Sequence, residues 1–237
     1  MKYRYNTIIS LVTIFTVLTL TSCDILDTGE GEVNELSLHF NTTEPVVESA
    51  DGNNSIEVTR MKMSVRRIGF MTLNFQQDTV TVDTMSFDEQ FPKVVSFNPG
   101  EVGTRVGIGE IDPQTFDRVF VEFAPPSGEV SDSDLGSNNS ILIEGTYNNS
   151  SFSYRANFDT TASFFIDPSL EMTEQTATLD LDVLIKTASL FKGSSGSLLN
   201  PSDQSAKAKI TGRFFNSLLF EEGNRTLRDY EDLRGSE

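Results

Sequence analysis

Apolar residues in this chain recur with a period of two, and that constrains its fold more than any other feature. Ala177, Leu179, Leu181, Val183 and Ile185 alternate with polar residues. Leu36, Leu38 and Phe40 alternate with Ser37, His39 and Asn41, and Val80 and Val82 with threonine and aspartate. Val119, Val121 and Phe123 form another such run, stopped by Pro125-Pro126. Successive side chains of a strand point to opposite faces, so these segments read as strands with one apolar face. Ile56 and Val58 set one phase and Met61, Met63 and Val65 the other, which predicts a β-bulge near residues 59–60. Ile141, Ile143, Gly145 and Tyr147 lead into Asn148-Asn149-Ser150, and Phe152, Tyr154, Ala156 and Phe158 lead out. That is the pattern of a hairpin.

One stretch breaks the rhythm. Over residues 203–221, Ile210, Phe214 and Leu218 recur every fourth position, Ala206, Lys207 and Ala208 suit a helix start, and Gly223 lies just past the end. Gly212 weakens the pattern. The expectation is an all-β fold, an antiparallel β-sandwich of the immunoglobulin/transthyretin-like kind, with one short C-terminal helix. It should be a single domain over residues 36–222, with a polar tail over 223–237. Residues 124–140, rich in proline, glycine, serine and aspartate, form the clearest internal loop, and Gly193-Ser194-Ser195-Gly196-Ser197 a second.

The N-terminus carries an address. Lys2 and Arg4 precede an apolar run from Thr7 to Leu20, followed by small residues, which reads as an export signal over residues 1–22. The run is shorter than the ~20 apolar residues a membrane-spanning helix needs. The only cysteine, Cys23, follows at once. Leu20-Thr21-Ser22-Cys23 resembles the bacterial lipobox. The resemblance implies a diacylglyceryl group on the Cys23 thiol, cleavage before it and acylation of the new amine. With Cys23 lipidated, no disulfide can form within the chain, and burial must hold the domain together.

Cleavage removes Lys2 and Arg4, leaving 35 acidic against 16 basic residues, a formal net charge of −19. Such a surface repels phosphate backbones, so nucleic acid is excluded as a partner. It also repels anionic headgroups, so contact with the membrane should run through the lipid on Cys23. Residues 23–35 are acidic, broken by two glycines, and read as a tether. In enterobacteria-like lipoproteins an aspartate after the cysteine favours inner-membrane retention. In Bacteroidetes-type lipoproteins an acidic stretch there accompanies export to the surface. The expected location is the cell envelope, at the outer membrane or cell surface rather than the inner membrane.

Ile143-Glu144-Gly145-Thr146-Tyr147 with Phe152-Ser153-Tyr154 resembles a hairpin of uncharacterised acidic surface lipoproteins from Bacteroidetes-type bacteria. Leu190-Phe191, then Leu198-Leu199-Asn200-Pro201, then Ile210 with Phe214-Phe215-Asn216-Ser217, are similar to the C-terminal motif of the same family. The likeness covers roughly residues 140–223. It departs at Leu190, where an aromatic residue is common, and at Glu221-Glu222-Gly223-Asn224, where an Asp/Gly-rich tail is common, which weakens a cation site there. The family carries no activity over to this chain.

Few residues could carry chemistry. His39 is the only histidine, so a Ser-His-Asp triad would need it. It falls opposite Leu36, Leu38 and Phe40 and is expected on the solvent face. No Gly-x-Ser-x-Gly elbow supplies a serine. Asp180 and Asp182 share a strand face about 6.6 Å apart, a separation within the range of paired glycosidase acids. A wet strand face carries such charges for solubility as well. Asp132-Ser133-Asp134 resembles the start of a calcium loop, but Gly136, Ser137 and Ile143 stand where an EF-hand needs a ligand, a glycine and a glutamate. Gly107-Ile108-Gly109 lacks the third glycine of a dinucleotide fingerprint, with Asp112 in its place. Met61, Met63, Met71 and Met85 could bind Cu(I), but the alternation around Met61 and Met63 assigns these two to the core.

The expectation is a lipid-anchored protein that is no enzyme, uses no cofactor or metal, and binds or displays something at the envelope, its ligand a protein or a glycan. The rivals are an envelope glycan hydrolase using Asp180 and Asp182, a periplasmic metal-handling lipoprotein and a pilus-like subunit. A binding module should expose an aromatic patch, and a hydrolase a cleft with paired acids.

Overall fold

A computed structural model describes residues 35–222, apart from 77–78, 87–91, 100–103, 111–113, 129 and 174–177. Cys23, the signal before it, the tether up to residue 34 and the tail from 223 lie outside the described residues. Among those described, no helix is long and apolar enough to cross a membrane.

The chain forms two sheets. The first is built from β1 (Glu35–Thr42), β6 (Thr104–Glu110), β11 (Thr178–Ile185) and β12 (Leu218–Glu222), in the order β12-β11-β1-β6. The second is organised on β3 (Ser55–Gln76), a strand of 22 residues. One side of β3 pairs with β2 (Val46–Glu48), β5 (Lys93–Phe97) and β4 (Thr79–Ser86). Its other side pairs with β8 (Ile141–Tyr147) and β7 (Gln114–Phe123). Outside these lie β9 (Ser150–Ala156) next to β8, and β10 (Thr160–Met172) next to β7. Two register shifts interrupt the β3 ladder, between Val58 and Arg60 against β8 and between Val65 and Arg67 against β7. The first is the bulge read from the phase change. Each adds twist and lets one long strand serve two neighbours in turn.

The apolar faces meet in one continuous core. Leu36, Leu38, Phe40, Leu181, Val183 and Ile185 come from the first sheet, and Met61, Met63, Val65, Ile68, Phe70, Val121, Phe123, Ile143 and Tyr154 from the second. The all-β, sandwich-like architecture agrees with the period-two reading. It departs from a purely antiparallel sandwich at one place. β1 and β11 run parallel, with Glu35 opposite Thr178 and Thr42 opposite Ile185. Residues so far apart in sequence pair by tertiary folding, and alternation carries no sign of strand direction.

The C-terminal region differs from the single helix expected over 203–221. The helix α2 covers Gln204–Arg213, and a 3-10 turn follows over Phe215–Ser217. Leu218 then opens β12 opposite Ile185. Pairing with β11 overrides the helical spacing, which the turn happens to preserve as far as Leu218. An earlier short helix, α1 (Thr187–Phe191), was not read from the sequence. Five residues are too few to show a helical period.

Gly145 is the position where the hairpin depends on a missing side chain. It lies opposite Val58, beside the bulge, and a Cβ there would collide with the carbonyl oxygen of Glu57 and come 3.0 Å from Val58 Cα. Both obstacles are backbone, so neither can rotate away. Gly145→Ala is expected to destabilise the fold by about 2–3 kcal/mol, as overpacking does, measured as a lower urea midpoint. An unchanged midpoint would show that the bulge yields freely. The hairpin turns at Asn148 and Asn149, both with positive φ (49° and 63°). Two such residues make the twist of a two-residue hairpin, and asparagine tolerates that backbone well.

Candidate functional site

His39 and Asp180 are together, but not where the sequence put them. His39 is 0% exposed and Asp180 5%, and His39 Nε2 donates to Asp180 Oδ1 at 3.1 Å. The expectation of a solvent-facing histidine is corrected. Alternation assigned the face rightly, but that face of the sheet is covered and not wet, since Ser37, His39 and Asp180 on it are all buried. The wet face expected for Asp180 and Asp182 is corrected in the same way for Asp180, while Asp182 is half-buried. Ser37 sits opposite Asp180 on the same face, and its buried Oγ meets no hydrogen-bond partner among the described residues. Serine, histidine and aspartate thus lie near one another inside the protein, closed to a substrate. The carboxylate pair offered to a glycosidase has one member bonded to histidine and buried.

The acidic loop is bound to the second sheet by cations of this chain. Lys62 Nζ lies 2.7 Å from both Asp132 Oδ2 and Asp134 Oδ2. Arg60 bridges Asp134 at 3.1 Å and Glu144 at 2.7 Å. Asp132 Oδ1 also accepts from the backbone N–H of Asp134 and Leu135, at 2.9 and 3.0 Å. Burial disfavours the charge on Lys62, but hydrogen bonds to the two carboxylates outweigh it and its pKa is raised. Burial likewise pushes Asp132 up, and the bonds from Lys62 and the backbone bring its pKa below the ordinary value. The ammonium of Lys62 therefore stands where a calcium loop would hold its ion. The loop surrounds an open hollow of about 680 Å³ lined by Pro126, Gly128, Val130 and Ser137, with Asp132 at its edge.

Met61 and Met63 are 1% exposed and belong to the core. Met71 is half-buried. Nothing is described of the Met85 side chain.

The arrangement most open to a ligand was not singled out from the sequence. On the outer face of the second sheet, β3, β7 and β10 bring nine residues into register. Arg67, Glu122 and Thr161 form one row, Gly69, Phe120 and Ser163 the next, and Met71, Arg118 and Phe165 the third. Phe165 is 67% exposed, and Arg118 lies 3.8 Å over its ring. The guanidinium of Arg67 lies 5.4 Å over Phe120. Phe120 lies between two small neighbours, Gly69 and Ser163, and is 7% exposed. Glu122 is engaged by Arg66 at 2.8 Å. Arg118 has no carboxylate among the described residues, and its enclosed Nε makes no hydrogen bond. The signal available was Phe120, in phase with Arg118 and Glu122 and opposite Val119, Val121 and Phe123. Phe165 lies in a stretch where no period marked a strand.

These features define an all-β, sandwich-like protein with a short C-terminal helix and an arginine–phenylalanine platform on one outer sheet face. The chain matches no family model, no curated protein and no solved structure.

Proposed function

We propose that this protein is an exported, lipid-anchored binding protein of the cell envelope, held by acyl chains on Cys23 and binding through the outer face of β7 and β10. The observation that carries the binding role is Phe165, an aromatic ring 67% exposed and backed by Arg118 on the outer sheet face. Large exposed aromatics beside arginine are what recognition surfaces use. The lipobox-like stretch carries the anchorage. A single acyl chain binds a bilayer only marginally and two or more hold it stably, at ~0.8 kcal/mol per buried CH₂.

Wild type and Cys23→Ala are to be expressed in a bacterium and fractionated. The wild type is expected in the membrane pellet and the exported variant in the soluble fraction. A cleaved variant that stays in the pellet overturns the anchorage. The soluble variant, with and without Phe165→Ala, is then to be sedimented with purified envelope polysaccharide and protein fractions. Retention lost with Phe165→Ala supports the binding face, and retention unchanged, or none for either form, overturns it.

A further inference from the structure

The same face indicates the chemistry of what it binds. Building on the binding role proposed above, we propose that it takes a saccharide chain bearing carboxylate groups, with the sugar ring on Phe165 and the carboxylate on Arg118.

The sequence carries 35 acidic residues against 18 basic, yet Arg118 meets none of those acids among the described residues. Arg66 already occupies Glu122, the acid two rows along on the same face, and the adjacent Asp117 accepts from Ser169. Arg118 is half-buried, and its Nε is enclosed without an acceptor. A buried donor without a partner is costly, and a charged one more so. Among the described residues no acid meets the Nη groups at the tip, so they can take an anion from outside. A planar fork of donors favours carboxylate, which it can bind bidentately.

Phe165 supplies the other half. One ring face is stacked by Arg118, and the ring remains mostly exposed. The C–H face of a pyranose is apolar and flat, and fits such a ring. Thr161 and Ser163 stand in line with Phe165 along β10, both exposed, with hydroxyls at steps of about 6.6 Å. Such a row suits the hydroxyl groups of successive sugar units. The net charge of −17 disfavours a dense polyanion and leaves sparse carboxylates, each met locally by arginine.

The test is calorimetric titration of the full-length protein in detergent with three probes. These are an oligosaccharide alternating uronic acid and neutral sugar, its carboxyl-reduced neutral counterpart, and a glutamate-rich peptide. The acidic oligosaccharide is expected to bind roughly tenfold tighter than the neutral one, the worth of a charge-assisted pair. Arg118→Ala should remove that preference, with Arg118→Lys losing less, and Phe165→Ala should weaken both sugars. Circular dichroism checks the fold of each variant. Equal binding of both sugars, unaffected by Arg118→Ala but lost with Phe165→Ala, overturns the carboxylate assignment and leaves the binding face standing. Tighter binding of the peptide than of the sugar overturns the saccharide. No binding of either sugar at millimolar concentration overturns the inference, while sedimentation with envelope protein fractions still decides the binding role separately.

Discussion

Phe214→Ala is expected to lower the unfolding free energy by about 3–5 kcal/mol, the range for deleting a buried aromatic ring. Phe214 is 0% exposed and joins two parts of the molecule. It follows α2 and stacks on Phe158 at 5.1 Å, meets Phe123 edge-on at 5.8 Å and lies 5.6 Å from Phe215. Through these rings the helical segment is fixed to the strands of the second sheet. Tyr154 makes a second link, its hydroxyl 2.7 Å from Thr211 Oγ1. Removing the ring leaves a cavity that the surrounding rings fill only in part, and such cavities add to the lost transfer energy. The measurement is urea unfolding of the variant against wild type, with Arg213→Ala, a half-buried neighbour, as a control. A loss below about 1 kcal/mol would place α2 outside the cooperative unit, since core truncations rarely cost so little.

Asp180→Ala is expected to cost about 3 kcal/mol, because it leaves His39 buried without this partner. The decisive quantity is the coupling between the two residues. Unfolding free energies of His39→Ala, Asp180→Ala and the double variant form a cycle. Residues in direct contact typically show an interaction energy of about 0.5–3 kcal/mol. The double variant should therefore be more stable than the sum of the single losses allows. Strictly additive losses would mean that the 3.1 Å contact contributes no stability. The pair also separates a structural role from a catalytic one. A structural pair alters stability and leaves binding at Phe165 unchanged in a folded variant.

Much of the fold could be read before any coordinate. The alternation of Leu36, Leu38 and Phe40, of Val119, Val121 and Phe123, and of Leu179 to Ile185 placed the correct residues on the core face in each case. The phase change near residue 59 located the first bulge, and Asn148-Asn149 the hairpin turn. These signals are local, since a strand's period and a turn's backbone preference are properties of a few adjacent residues.

The failures share a physical cause. Period two says which face a residue is on, not whether that face is covered. His39 and Asp180 were assigned to the right face and the wrong environment, because burial depends on what the folded chain packs over that face. The lysine that fills the acidic loop lies 70 residues from Asp132, and no spacing rule connects them. Leu218 keeps a helical interval from Phe214 yet belongs to a strand, since β11 offers it a backbone partner. The candidate face has the same origin. Arg67, Phe120, Arg118 and Phe165 come from three strands that only their register brings together. By itself, then, the sequence determined the most regular strands and their apolar sides, the tight turn and the expectation of export. Tertiary structure alone decided the parallel pair, the buried histidine–aspartate contact and the arginine that meets no acid among the described residues. Long-range pairing and the exclusion of water are properties of the assembled sheets, and no local pattern encodes them.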